Sequence, residues 1–207
     1  MNTTTELKKI AIFASGSGTN AENIIRYFSS DDRVKVVMIL TNNKNAYVID
    51  RARQLGVPCR VFDRNTFYST DEIPRLLSGL NTDLIVLAGF LWLIPQHLLR
   101  AFPGRMINIH PALLPKYGGK GMYGHVVHES VIRSGDRESG ITIHYVNENY
   151  DEGQIIRQAR CQVLPEYTAD DLAARIHELE YYHYPRVIEE ILFPDPNRPA
   201  RAPAKEG

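Results

Sequence analysis

The chain has 207 residues, 43% hydrophobic and 23% charged, which suits one domain with a substantial core and leaves too little for two ordinary domains and a linker. Lysine plus arginine equals aspartate plus glutamate at 24 each, so no basic excess points to a nucleic acid or an anionic membrane surface as partner. Two cysteines, Cys59 and Cys161, a polar start from Met1 to Lys9 and apolar runs of only about seven residues fit a soluble protein of a reducing cytoplasm, without signal peptide or membrane span.

Along the chain, Ile10–Ala14 is a short apolar run that ends in Ser15-Gly16-Ser17-Gly18-Thr19-Asn20, and Ala21–Phe28 is helical in character. The order strand, glycine turn, helix returns in Val34–Leu40, rich in β-branched residues, followed by a helical stretch from Tyr47 to Leu55 that stops at Gly56. Val57–Phe62 reads as a weaker strand, Thr70-Asp71-Glu72 as the start of a helix, and Leu84–Ala88 as a fully buried strand closed by Gly89. Met106–Ile109 is a fifth strand ending in His110-Pro111, and the aperiodic segment Pro111–Gly124 reads as a long loop of the kind kept for function.

Beyond that loop come a helix over about His125–Arg133, strands near Ile141–Val146 and Gln154–Val163, and between them the polar hairpin-like loop Asn147–Gly153. The last helix starts at Thr168, whose hydroxyl can form a capping box with Asp171, and runs to about Ile191 with a kink expected at Pro185. From Pro194 onward four prolines, several charges and few apolar residues describe a loose tail. Strands alternating with helices of about ten residues predict an α/β fold: right-handed crossovers and a mainly parallel sheet covered on both faces.

The chemistry-bearing residues fall into three groups. The glycine turn before the first helix lets backbone amides approach an anion, so Gly18, Thr19 and Asn20 are candidates for holding a phosphate; a plain strand-to-helix turn capped by Thr19 or Asn20 is the other reading. It lacks the lysine of a nucleoside-triphosphate loop and the third glycine of a dinucleotide fingerprint, so a lone sugar phosphate suits it better. Asn108 and His110 alternate onto one side of their strand at its carboxyl end, where open parallel sheets bind ligands; together they offer a neutral donor and a proton-transfer group, as acyl transfer requires. Asp151, in the polar loop, could sit beside His110 and raise its pKa, or could be an ordinary turn aspartate.

Asn108-Ile109-His110-Pro111-Ala112-Leu113-Leu114-Pro115-Lys116-Tyr117, followed about forty residues later by Asp151, resembles the signature of the folate-dependent formyltransferases. Ser15–Asn20, Ala88-Gly89-Phe90 and Glu180 resemble its phosphoribosylglycinamide branch, and the likeness extends from about Lys8 to Phe193. The resemblance implies a single-domain, Rossmann-like, mostly parallel sheet over residues 1–193 with a flexible tail over 194–207. It implies transfer of the formyl group of 10-formyltetrahydrofolate, as co-substrate and without a metal, to the amine of glycinamide ribonucleotide in purine synthesis.

By that likeness Asn108 holds the formyl oxygen, His110 donates the proton and stabilises the tetrahedral intermediate, and Asp151 raises the histidine pKa and orders a water. Gly18, Thr19, Asn20, Ala21 and Glu22 would cradle the phosphate, and His177, Glu178, Leu179 and Glu180 would reach the ribose and glycinamide. Leu91, Trp92, Leu93 and Ile94, with Asn147, Glu148, Asn149, Tyr150 and Asp151, would enclose the pterin. His144 is similar to a supporting histidine of the family, although a buried hydrogen-bonded role fits its strand position equally.

The sequence departs from the family at Gly118–Gly124, where many members carry a proline-glycine pair and then a histidine, and at Trp92 and Thr70, near which relatives carry arginines for the folate tail. His97, His125, His128 and His183 show no ligand spacing and read as surface or packing residues. Related hydrolases and tRNA-directed formyltransferases carry a further domain for which this length leaves no room, and a non-catalytic binding module would not need Asn108, His110 and Asp151 together. The expected partners are small molecules only, with no nucleic acid and no membrane, for a monomer or a homodimer.

Overall fold

The structure is a computed structural model that describes residues 6–195, so most of the expected tail at 194–207 lies outside the described residues. Strand β1 (Lys8–Phe13) leads into α1 (Thr19–Tyr27), and β2 (Val34–Thr41) into α2 (Val48–Gln54). Next come β3 (Cys59–Val61), α3 (Arg64–Ser69), α4 (Glu72–Gly79), β4 (Leu84–Leu87) and α5 (Gln96–Ala101). The chain closes with β5 (Met106–His110), α6 (His125–Ser134), β6 (Glu138–Tyr145), β7 (Ile155–Gln162) and α7 (Ala169–Leu192).

The strands form one sheet in the order β3-β2-β1-β4-β5-β6-β7. Pairings from β3 through β5 are parallel, and the two that join β5, β6 and β7 are antiparallel. The parallel part follows from the crossover helices, while β6 and β7 are joined by a short loop that reverses direction. Alternation divides the core between two faces: on β1, Ile10 and Ile12 enter one cluster with α1, α2, α6 and α7, while Ala11 and Phe13 enter the other with α3, α4 and α5. No residue of β6 or β7 joins the second cluster, so that face of the antiparallel half is left to loops.

Three differences from the sequence expectation have local causes. Val57–Phe62 shortens to β3, which pairs only with Ile39, Leu40 and Thr41 at the sheet edge. Helix α3, which has no sequence counterpart above, has six residues, too few to display a period, and is started by the Asp63 carboxylate accepting from the Thr66 amide at 2.7 Å. Strand β6 begins three residues before the apolar run, because Glu138, Ser139 and Gly140 pair with Gln162, Cys161 and Arg160 of β7.

Helix α7 carries the expected Thr168–Asp171 capping box and continues through Pro185. A proline there cannot donate to the carbonyl four residues back, and that Tyr181 carbonyl instead accepts from Asn23 Nδ2 at 3.0 Å, tying α7 to α1. The buried Tyr184 hydroxyl donates to the Leu87 carbonyl at 2.9 Å and reaches the Ile107 carbonyl at 3.3 Å, fixing the same helix to β4 and β5. These two anchors set the depth at which α7 presents His177 and Glu180 to the end of the sheet.

Candidate active site

Strand order changes direction at β1, which has β2 on one side and β4 on the other, and a cleft of about 590 Å³ opens beside the carboxyl ends of β1, β4 and β5. One end of the cleft is the turn Ser15–Asn20. Gly18 has φ +74°, and a Cβ there would lie 2.3 Å from Val48 Cγ2, so only glycine fits between β1 and α2. It places the first amides of α1, which have no helical acceptor, at the cleft wall. Beyond them Asn20 Nδ2 donates to Glu180 Oε2 at 2.9 Å, and His177 Nδ1 lies 2.9 Å from the same oxygen, an ion pair that raises the His177 pKa.

At the centre, Asn108, His110 and Asp151 converge. Asn108 and His110 point away from the face that buries Ile107 and Ile109, and His144, cross-strand from Asn108 in register, joins them. Asn108 Nδ2 lies 3.1 Å from His144 Nε2 and 3.4 Å from Asp151 Oδ1; His144 Nδ1 donates to the Tyr145 carbonyl at 2.8 Å, and its Nε2 stands 3.6 Å from Asp151 Oδ1. Asp151 Oδ2 accepts from the Gly119 amide at 2.9 Å and stands 3.4 Å from His110 Nδ1, while His110 Nε2 donates to the Tyr117 carbonyl at 2.7 Å. Asp151 itself has φ +57°, and Gly153 packs so closely on the Tyr145 carbonyl that a Cβ would come within 1.6 Å of it. The hairpin is thus folded tightly back toward the strands that carry Asn108 and His110.

Burial would push the Asp151 carboxyl up, but its hydrogen bond with His144, the facing His110 ring and the Gly119 amide hold it below the usual carboxylate range. Asp151 acts on His110 in the expected direction but does not prevail. Asp151 and the Tyr117 carbonyl act to raise its pKa, yet burial of a ring only 4% exposed outweighs them, and the net shift is downward. The open cleft therefore holds an ionised carboxylate beside an imidazole whose charged form burial disfavours.

Not every residue expected in the site reaches it. Ala21 is buried in the core, and Glu22 pairs with Arg26 and Arg51 instead of facing the cleft. On α7, His177 and Glu180 lie one turn apart and line the cleft, whereas Glu178 pairs with Arg175 in solvent and Leu179 packs against the core, as helical phase requires. Leu91, Trp92, Leu93 and Ile94 line the cleft with Asn149 and Tyr150, the Leu91 amide donating to Ser15 Oγ at 3.1 Å, while Asn147 and Glu148 fall outside it; Asn147 instead accepts from the Asn149 amide.

Sequence reasoning missed Lys120, the one lysine or arginine lining the cleft among the described residues, and His128, a buried ring of α6 that also lines it. His128 flanks the buried stripe of Val127 and Val131, and that phase was its only signal. Also among the described residues, no cluster of three or more His, Cys, Asp or Glu side chains is placed to hold a metal ion, and no helix is long and apolar enough to cross a membrane.

Comparison with known proteins agrees with this architecture. The family model described as formyl transferase matches residues 8–188. The phosphoribosylglycinamide formyltransferase of Haemophilus influenzae is 40% identical over 188 residues, covering 88% of this chain and 86% of that protein. The chloroplastic phosphoribosylglycinamide formyltransferase of Arabidopsis thaliana is 42% identical over 191 residues; the match covers 89% of this chain and 65% of that protein's length. Among solved structures, glycinamide ribonucleotide transformylase 1 of Geobacillus kaustophilus superposes with a TM-score of 0.82 at 36% identity, over 91% of this chain and all of that one. The glycine turn, the Asn108–His110 strand end and the folded-back Asp151 loop are thus set in a sheet that these relatives share, and the chain belongs to the formyl transferase family.

Proposed function

We propose that the protein transfers the formyl group of 10-formyltetrahydrofolate to the amine of glycinamide ribonucleotide, giving the formylated ribonucleotide and tetrahydrofolate. The observation that carries the reading is the convergence of Asn108, His110 and Asp151 in a cleft lined by two kinds of chemistry. The Gly18 turn, Asn20 and Glu180 suit a phosphorylated, hydroxyl-bearing acceptor. Leu91, Trp92, Ile94 and Tyr150 suit a flat heterocycle. The relatives' names point to phosphoribosylglycinamide as the acceptor and to transfer of a formyl group.

In this reading the acceptor amine attacks the formyl carbon as an uncharged nucleophile, and negative charge gathers on the formyl oxygen. Asn108 Nδ2 lies 3.1 Å from His144 Nε2 but is held by Asp151 only at 3.4 Å, so the amide hydrogen on the Asp151 side is free to serve that oxygen. His110 supplies the second stabilising group. Its Nδ1 already faces a carboxylate, and a second anion developing beside the ring works with that carboxylate against burial, so the ring holds a proton taken from solvent while the intermediate lasts and returns it when the bond from the formyl carbon to the folate nitrogen breaks. For Nε2 to donate to the intermediate, the Tyr117 carbonyl has to yield or share that hydrogen. Asp151 holds the imidazolium and can accept the proton shed by the attacking nitrogen, directly or through a water, for delivery to the departing folate nitrogen.

The test mixes the protein with glycinamide ribonucleotide and 10-formyltetrahydrofolate and follows folate absorbance. Tetrahydrofolate formed only in the presence of the amine, with one formylated product per turnover, is the expected result. Equal release without the amine would make the protein a hydrolase, and binding of both compounds without product would make it a binding module.

A further inference from the structure

One buried side chain of the cleft has no role in the chemistry above. His128, on the first turns of α6, is 3% exposed, lines the cleft, and has an Nδ1 with no hydrogen-bond partner. His97 and His183 also bury an unpartnered ring nitrogen, but neither lines the cleft; Asn20 Oδ1 is unpartnered at the cleft wall as well, so among the described residues His128 is the one imidazole whose unmet group adjoins space that a ligand can fill. The groups that face its ring electrostatically are Glu180 and His177 of α7, His125 of its own helix and His110 of β5. His128 thus stands between the acceptor end of the cleft and the reacting centre. A buried polar atom left without a partner is costly, and such atoms are normally completed by a water or a ligand.

We propose that His128 is a specificity-determining residue of this site, its uncharged imidazole hydrogen-bonding a hydroxyl or carboxamide of the phosphorylated amine next to the reacting nitrogen. The inference rests on the formyl-transfer reading for the identity of that substrate. A neutral imidazole offers one donor and one acceptor, which matches groups that themselves offer both, and a substrate lacking such a group would leave the ring unpaired. Because the contact is the same before and during attack, it belongs to substrate recognition and not to the proton transfers assigned to His110 and Asp151.

Steady-state kinetics of His128→Ala and His128→Asn, with melting temperatures alongside, test this. Asparagine keeps a hydrogen-bonding group near the position of Nδ1. In His128→Ala the KM for the ribonucleotide should rise about tenfold or more, with the folate KM and the pH profile unmoved, and His128→Asn should recover to within about threefold of wild type. A ribonucleotide KM within about twofold of wild type in a folded His128→Ala protein, an equal rise in both KM values, or a displaced pH profile would overturn the proposal.

Wild-type protein labelled with 15N-histidine supplies a second readout that needs no variant. The His128 Nδ1 resonance should move on saturation with the ribonucleotide and stay in place with folate alone; an unmoved resonance at saturation would also overturn it. A wild-type protein that binds the ribonucleotide, shifts that resonance and transfers no formyl group would remove the proposed function while leaving the His128 contact standing.

Discussion

His110 Nδ1 and Asp151 Oδ2 face each other at 3.4 Å, although one closes a buried strand and the other sits in a surface hairpin with positive φ. The same carboxylate accepts from the Gly119 amide, and the same imidazole donates to the Tyr117 carbonyl, so the pair also holds the loop that follows His110. Both ring nitrogens therefore address acceptors, an arrangement that a doubly protonated ring satisfies best. Burial opposes that charge. The balance is tipped by whatever negative charge enters the cleft.

His110→Ala removes both the proton donor and one of the two groups placed to stabilise the formyl oxygen. The expected outcome is a fall in kcat of about a hundredfold or more, with the fold intact by circular dichroism. Turnover within a few-fold of wild type would remove His110 from the mechanism.

Asp151→Asn keeps the shape of the hairpin but removes the main charge that raises the His110 pKa, leaving only the Tyr117 carbonyl and Glu180 against burial. An imidazolium requirement means activity is lost as pH rises through that pKa. The basic limb of the kcat profile should therefore move to lower pH, by about one unit, and the rate near pH 7.5 should fall about tenfold or more. A profile that keeps its basic limb in place would show that Asp151 acts otherwise.

Gly18→Ala places a Cβ where Val48 Cγ2 already lies and asks a non-glycine residue to hold φ +74°. Urea denaturation should show a loss of about 1–3 kcal/mol, and the ribonucleotide KM should rise more than the folate KM because the α1 amides are displaced. Unchanged stability would mean that the turn relaxes freely.

His128 is held uncharged by burial, with its pKa lowered to about 4 from the ordinary 6.5, and the His110 pKa is shifted in the same direction. Below the ordinary value the unfolded chain takes up a proton that the folded chain refuses. Stability should therefore be complete above about pH 6.5 and decline as pH falls toward 4, by as much as about 3 kcal/mol for His128. Urea titrations of wild type and His128→Asn at pH 7 and pH 4.5 check the sign: the variant should lose less between the two, and equal losses would contradict it.

Much of the parallel half was legible because its signals are local. Ile10–Ala14 and Leu84–Ala88 are apolar runs of strand length stopped by glycine, and the Thr168–Asp171 box marks its helix within three residues. Elements whose formation depends on partners were not: α3 has no period to display, and the first residues of β6 are polar or small and become strand only because β7 lies beside them. Within the site, alternation put Asn108 and His110 on one side, and the family resemblance supplied Asp151. Helical phase separates His177 and Glu180 from Glu178 and Leu179, a distinction that motif resemblance does not carry.

The sequence by itself determined the α/β class, the glycine turn and the pairing of a carboxamide with an imidazole at a strand end, because each is set by neighbours a few positions apart. The tertiary structure alone decided that Asp151 folds back onto His110, that burial outweighs that carboxylate in setting the ring's charge, and that His128 faces the cleft. Contact between distant segments and exclusion of water are properties of the packed molecule, and no short window of residues contains them.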